Sequence, residues 1–235
     1  SEVVEGGGSR VVIDRPIRVL SAAGAAETAI RGGQDVRCVR LANGASLSGF
    51  TLTGSRLTGI AAFAGGVLAD KGCRVENCII SDNEAQHGAG GVGGRYRNCV
   101  VYGNRAAGQC GGILRADLEN CTVVTNSARG AGAGALECHV VNSILRDNVP
   151  DDFLSCSLSH CAVRKRVNDE GCVFKAPWFG APERGDFSLR PGSPGIDAGK
   201  AMEWPADAVD IAGALWVQGA AVDLGAYEAP PPDAP

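Results

Sequence analysis

A short phrase recurs four times between Arg74 and Asn148, and it leaves this chain very few folds. Val75-Glu76-Asn77-Cys78-Ile79-Ile80-Ser81-Asp82-Asn83 returns as Tyr96-Arg97-Asn98-Cys99-Val100-Val101-Tyr102-Gly103-Asn104. It returns again as Leu118-Glu119-Asn120-Cys121-Thr122-Val123-Val124-Thr125-Asn126 and as Val140-Val141-Asn142-Ser143-Ile144-Leu145-Arg146-Asp147-Asn148. The first Asn recurs after 21, 22 and 22 residues, and the second keeps the same spacing. Gly90-Gly91, Gly111-Gly112 and Gly132-Ala133-Gly134 fall between copies. A unit this short buries no core of its own, whereas stacked units bury a shared one.

The apolar runs are short, β-branched and bounded by Asn and Gly, which suits strands. No helical period runs through them, and Gly recurs too often for helix interiors. Leucine-rich repeats share the period but need regularly spaced Leu and a helix. The expected fold is therefore all-β: a single-stranded right-handed parallel β-helix of about 22-residue coils, with an irregular C-terminal cap. By the two-residue period of a strand, Val75, Tyr96, Leu118 and Val140 point inward, as do Ile80, Val101, Val123 and Leu145. Asn77, Asn98, Asn120 and Asn142 sit at the bend between two strands, where Asn tolerates a left-handed backbone and can bond the Asn of the next coil. Cys78, Cys99, Cys121 and Cys161 form a row beside them, broken by Ser143. Stacked cysteines serve as small buried hydrophobes, and neighbouring coils also bring them within disulfide reach. Ten cysteines with no CxxC pair make zinc the least expected use.

The coils extend beyond the clear copies. Val11-Val12-Ile13, Ile17 to Leu20, Cys38 to Leu41 and Ala45 to Thr53 read as degenerate N-terminal strands, with Ala29 to Gly33 as a turn. Leu47-Ser48-Gly49-Phe50-Thr51-Leu52 matches the phrase with Gly49 at the Asn position and Phe50 at the Cys position. Leu158-Ser159-His160-Cys161-Ala162-Val163 is an eroded fifth copy, followed by the solvated basic turn Arg164-Lys165-Arg166. From Ala176 repeated Pro ends regular coils. The expected organisation is a solenoid over 1–175, a non-repetitive segment over 176–229 that packs on or caps it, and a Pro-rich tail over 230–235.

With 34 Gly, 5% aromatics and a formal charge of -4, the chain carries no basic stripe, so nucleic acid is not an expected partner. No apolar run reaches the length of a membrane-spanning helix. The first residues carry no signal-peptide pattern, so any such segment is either already removed or lies outside this sequence.

The N-C-x-[IV]-x-x-N coils with intervening Gly-Gly resemble right-handed parallel β-helix repeat proteins of the pectin-lyase-like superfamily. The run Gly185-Asp186-Phe187-Ser188-Leu189-Arg190-Pro191-Gly192-Ser193-Pro194-Gly195-Ile196-Asp197-Ala198-Gly199 resembles the tail that follows such coils in bacterial secreted and surface proteins. So does Val222-Asp223-Leu224-Gly225-Ala226-Tyr227-Glu228. Asp210-Ile211-Ala212-Gly213-Ala214-Leu215-Trp216 fits the intervening segment, with Trp216 where Arg is usual. The resemblance implies a bacterial extracellular or cell-surface location and a polysaccharide or surface protein as partner. It does not choose between lyase, hydrolase, adhesin and self-assembling structural protein.

A polysaccharide lyase needs a neutraliser for the uronate carboxylate, a base and help for the leaving oxygen. Glu76, Arg97 and Glu119 occupy one outward position in three successive coils. Arg97 between two carboxylates reads first as a surface charge ladder. Asp82 and Asp147 are separated by Gly103 and Thr125. Asp151-Asp152, beside Pro150, is an adjacent Asp pair in a loop that a hydrolase could use. His87, His139 and His160 form no triad. Tyr102 and Arg146 are the candidate binding residues. No cofactor is expected, apart from a Ca2+ ion that Asp207 and Asp210 could hold in a tail whose acids otherwise suit turns. The outward row Ile79, Val100, Thr122 and Ile144 is apolar and should be covered. The C-terminal segment, with Trp204 or Trp216, is expected to cover it.

Overall fold

Strands of two to six residues stack coil upon coil. A computed structural model describes residues 8–203 and 208–231. Three parallel sheets of seven strands each run the length of the solenoid. In the coil that holds the second copy, the chain passes Gly91–Val92 in the first sheet, Arg95–Arg97 in the second and Val100–Tyr102 in the third. It then adds Arg105–Ala106 to a short fourth sheet of three strands. Each strand pairs in register with the same position of the next coil: Tyr96 with Val75 and Leu118, Val101 with Ile80 and Val123. The protein is a parallel β-helix.

The inward rows fall where the strand period places them. Val75, Tyr96, Leu118 and Val140 are buried, as are Ile80, Val101, Val123 and Leu145, and all join one continuous core. Burial of a Val, Leu or Ile side chain contributes about 1.5–3 kcal/mol, so a single slipped coil would expose a whole rung. The degenerate N-terminal phrase folds the same way: Gly49 takes φ +80° at the Asn position, and Phe50 is buried at the Cys position. Ala29–Arg31 departs from its expected role as a turn. It is a strand of the third sheet, pairing with Thr51–Thr53, because the long preceding bend lets Ile30 reach the core. The eroded fifth copy keeps its geometry, with His160 at φ +51° and Cys161 fully buried.

The thiol row stands as a column of free, buried cysteines. Cys78, Cys99, Cys121 and Cys161 each donate to the carbonyl two residues back, at 3.1, 3.2, 3.3 and 3.3 Å. Ser143 makes the same bond to Val141 at 2.7 Å, which is why Ser can replace Cys there. Burial pushes the Cys78 thiol up to about 12 and the Cys99 thiol well above its ordinary range.

The asparagine ladder is the second Asn of the phrase, not the first. Asn83, Asn104, Asn126 and Asn148 are wholly buried. The side-chain oxygen of each of the last three accepts both the backbone N–H and an amide hydrogen of the preceding coil's Asn, at 2.9–3.1 Å. Each amide also donates to a carbonyl of the coil before: Leu52, Ile80, Val101 and Val123. In the first row only Asn98 bonds to a neighbouring Asn, Asn77, at 3.0 Å. All four residues of that row do take left-handed φ of 49–52°. That bend turns their side chains toward the outside of the coil, and only the second row points into the space between sheets.

Candidate functional site

The open surface is defined by what the C-terminal segment covers. Phe187, Leu189, Leu224, Ala226 and Ala229 cluster with Val100, Val124 and Ile144, and with Ile79 and Tyr102, on the outward face of the third sheet. The freed first Asn row supplies the polar seam. Asn98 donates to Val209 O at 3.1 Å and Asn120 to Asp223 O at 3.3 Å. Asn142 both donates to Lys200 O and accepts from its N–H, each at 2.9 Å. Among the described residues the apolar cover is built without a tryptophan. Trp204 lies outside the described residues, Trp178 is 55% exposed, and Trp216, though buried, is absent from this cluster.

Four tail carboxylates hold this segment together by accepting backbone N–H groups. Asp210 accepts from Ala212 and Ala214 at 2.8 Å and from Glu228 at 2.9 Å. Asp223 accepts from Asp197 and Ala229, Glu228 from Gln218 and Asp223, and Asp197 from Ala221. Burial pushes the Asp223 carboxyl up to about 6 and that of Glu228 to about 7. Asp210 is therefore a loop anchor with its oxygens already engaged. Asp207 lies outside the described residues. Among the described residues no group of three or more His, Cys, Asp or Glu is arranged to hold a metal ion.

The other sequence candidates are dispersed. Glu76, Arg97 and Glu119 do stand in one register column on the second sheet. Arg97 Nε lies 3.2 Å from Glu119 Oε1, while Glu76 Oε2 is 3.6 Å from Arg18 Nη2. Asp152 closes the asparagine ladder: its Oδ1 accepts from the backbone and amide of Asn148, and its Oδ2 lies 3.4 Å from Arg164 Nε. Burial pushes its carboxyl up. Asp151 accepts from the N–H groups of Gly132 and Ala133 at 2.6 and 3.0 Å. Tyr102 packs against Phe187 with ring centroids 5.3 Å apart. Arg146 is 9% exposed and donates to Phe174 O. Tyr102 thus lies under the C-terminal segment on the covered face of the third sheet, whereas Arg146 is closed over by the stretch around Phe174.

A groove of about 430 Å³ opens at the corner between the first and second sheets, lined by Lys71, Gly93, Gly94, Arg115, Asp117, Glu137 and His139. Its origin is a change in corner length. One coil crosses from Val67–Ala69 to Arg74–Glu76 through Asp70, Lys71, Gly72 and Cys73, and the next crosses through Gly93-Gly94 alone. A Cβ at Gly93 would meet Ala69 O at 2.2 Å, so only glycine lets the short corner close up and leave a notch. The next two corners present Arg115 and Glu137, paired at 2.7 Å and largely exposed. Asp117 and His139 stand beside them in adjacent coils at one register position.

Beyond the Arg115–Glu137 pair a second opening of about 170 Å³ is lined by Phe63, His87, Gln109, Leu114 and Leu136. Phe63 stacks on His87 with centroids 5.1 Å apart and planes 26° from parallel. Gln109 N–H donates to His87 Nδ1 at 3.0 Å, so the neutral ring carries its proton on Nε2. The two openings share Arg115 and Glu137 and form one shallow track. Its lining offers donors, acceptors and flat rings rather than an enclosed reaction chamber. The repeat phrase did not point here, because these residues precede its copies; the signal was the one long corner, Asp70 to Cys73, against two residues before each later copy. Comparison with protein-family models, curated proteins and solved structures finds no match for this chain.

Proposed function

We propose that this protein is a bacterial extracellular or cell-surface β-helix module of the pectin-lyase-like type that binds glycan along the corner track between its first and second sheets. The observation that carries this reading is the track itself. Hydrogen-bonding side chains repeat on successive coils, about one strand spacing of 4.8 Å apart, and the stacked Phe63 and His87 rings lie at one end. Sugar rings take hydrogen bonds at their edges and aromatic contact on their faces. The ion-paired Glu76, Arg97 and Glu119 column and the engaged Asp151 and Asp152 weigh against those residues as a catalytic set. The superfamily reading rests on the coil phrase together with the tail motif.

The test is a glycan array followed by titration calorimetry with wild type, Arg115→Ala and His139→Ala. Each substitution should weaken a positive glycan by about tenfold, or ~1.4 kcal/mol. A glycan bound equally by all three proteins would sink the track as the site. The same panel, followed by ultraviolet absorbance for unsaturated uronate and by reducing-end release, reads out the lyase and hydrolase alternatives. Turnover there would replace the binding reading.

A further inference from the structure

The thiol column does not stop at the last full coil. After the exposed turn Arg164-Lys165-Arg166 the chain comes back under the end of the solenoid, and Val167, Cys172 and Phe174 pack against its core. Val173 N–H donates to Cys161 O at 2.8 Å, and Val163 N–H donates to Val173 O at 3.0 Å. The resulting parallel bridge pairs Ala162 with Val173 and so sets Cys172 beside Cys161. Neighbouring positions on parallel strands lie about 4.8 Å apart, inside the range of about 4.4–6.8 Å between Cα atoms that a disulfide spans. The approach is close: a Cβ at Gly171 would meet the His160 ring at 2.4 Å, and Gly171 accordingly takes φ +67°.

We propose that Cys161 and Cys172 are a thiol–disulfide modification site, which a small-molecule disulfide converts into a cross-link stapling the terminal turn to the last coil. Two observations set this pair apart from the column above it. Cys78, Cys99 and Cys121 are enclosed by coils on both sides, whereas Cys172 is the last of its column and is partly exposed. The hydrogen bond from Cys161 also pulls the Cys172 thiol down to about 7, against the burial that pushes Cys161 up. A thiol that ionises near neutrality and meets solvent is the one that attacks first.

The chemistry closes. The Cys172 thiolate attacks one sulfur of the reagent RSSR, forms a mixed disulfide and expels RS⁻. Cys161 gives its proton to that thiolate, attacks Cys172 Sγ and expels the second RS⁻, which takes a proton from solvent. Two protein thiols are oxidised and one external disulfide is reduced to two thiols. The site stands on backbone register and solvent access, independently of any glycan.

The full chain is incubated with oxidised glutathione at neutral pH, alkylated, digested with trypsin and mapped by mass spectrometry without reduction. Cleavage at Arg164, Lys165 and Arg166 separates the two cysteines, and Cys172 is the one cysteine beyond Arg166. Their peptides therefore stay joined only through a disulfide. Wild type should give the joined Cys161–Cys172 peptide. Cys161→Ser should stop at a glutathione adduct on Cys172, and Cys172→Ser, at the exposed end, should leave Cys161 unmodified. In the native protein the cross-link should slow trypsin cleavage within 164–166 by about tenfold or more. A lasting glutathione adduct on wild-type Cys172, a link from Cys172 to another cysteine, or no reaction would each overturn the proposal.

Discussion

Replacing Asn104 by Ala should cost about 4 kcal/mol, several times the cost of disturbing the neighbouring Asn row. Asn104 Oδ1 accepts from the Asn83 backbone N–H at 3.1 Å and from Asn83 Nδ2 at 3.0 Å. Its amide donates to Ile80 O and to Asn126 Oδ1, both at 2.9 Å. The residue is fully buried, so no water replaces these bonds. Ala would leave two Asn83 donors without an acceptor, and each orphaned buried group costs about 1–3 kcal/mol. Two of them give about 2–6 kcal/mol, before any loss from the carbonyls that Asn104 serves. Asn120→Gly is the matched control. Gly accepts the left-handed φ of 49° without strain, and the substitution removes one hydrogen bond of 3.3 Å to Asp223 O. Its cost should be about 1 kcal/mol or less. Urea titration followed by far-ultraviolet circular dichroism measures both. A loss below about 1 kcal/mol for Asn104→Ala, or equal losses for the two variants, would refute the assignment of the second row as the ladder.

Three further outcomes are expected. Deleting residues beyond 175 bares Val100, Val124 and Ile144, so the truncated chain should bind hydrophobic dye and aggregate; a soluble monomer with unchanged dye fluorescence would show that the cover is dispensable. The carboxyls of Asp223 and Glu228 are raised in the folded segment to about 6 and 7, above their unfolded values. Their contribution is thus fully present below the unfolded values, at about pH 4, and is lost as pH rises through 6 to 7. Hydrogen exchange over 195–203 and 208–229, corrected for its intrinsic rate, should show falling protection across that window, and flat or rising protection would contradict it. Under native alkylation, Cys172 should react ahead of Cys78 and Cys99, with its rate climbing around pH 7; labelling of the enclosed thiols at the same rate would mean that the coils open freely.

The chain itself determined the architecture, because a stacked fold writes the same local demand into every turn. A residue that must be buried in one coil must be buried in all of them, so Val75, Tyr96, Leu118 and Val140 betray the inward face without any tertiary knowledge. The left-handed bend at Asn77, Asn98, Asn120 and Asn142 was legible for the same reason. Two equal Asn rows, however, look alike along the chain. Which one stacks inside the wall depends on the angle at which consecutive sheets meet, and only the assembled coils decide it. Tertiary structure also settled which outward faces stay open. Tyr102 and Arg146 looked available in sequence, but the C-terminal segment, far off in the chain, lies over Tyr102, and the stretch around Phe174 closes over Arg146. The corner track was hidden for the opposite reason. Arg115 and Glu137 are corner residues and Asp117 and His139 open the strands that follow; their identities vary from coil to coil, and stacking at a fixed rise is what brings them side by side.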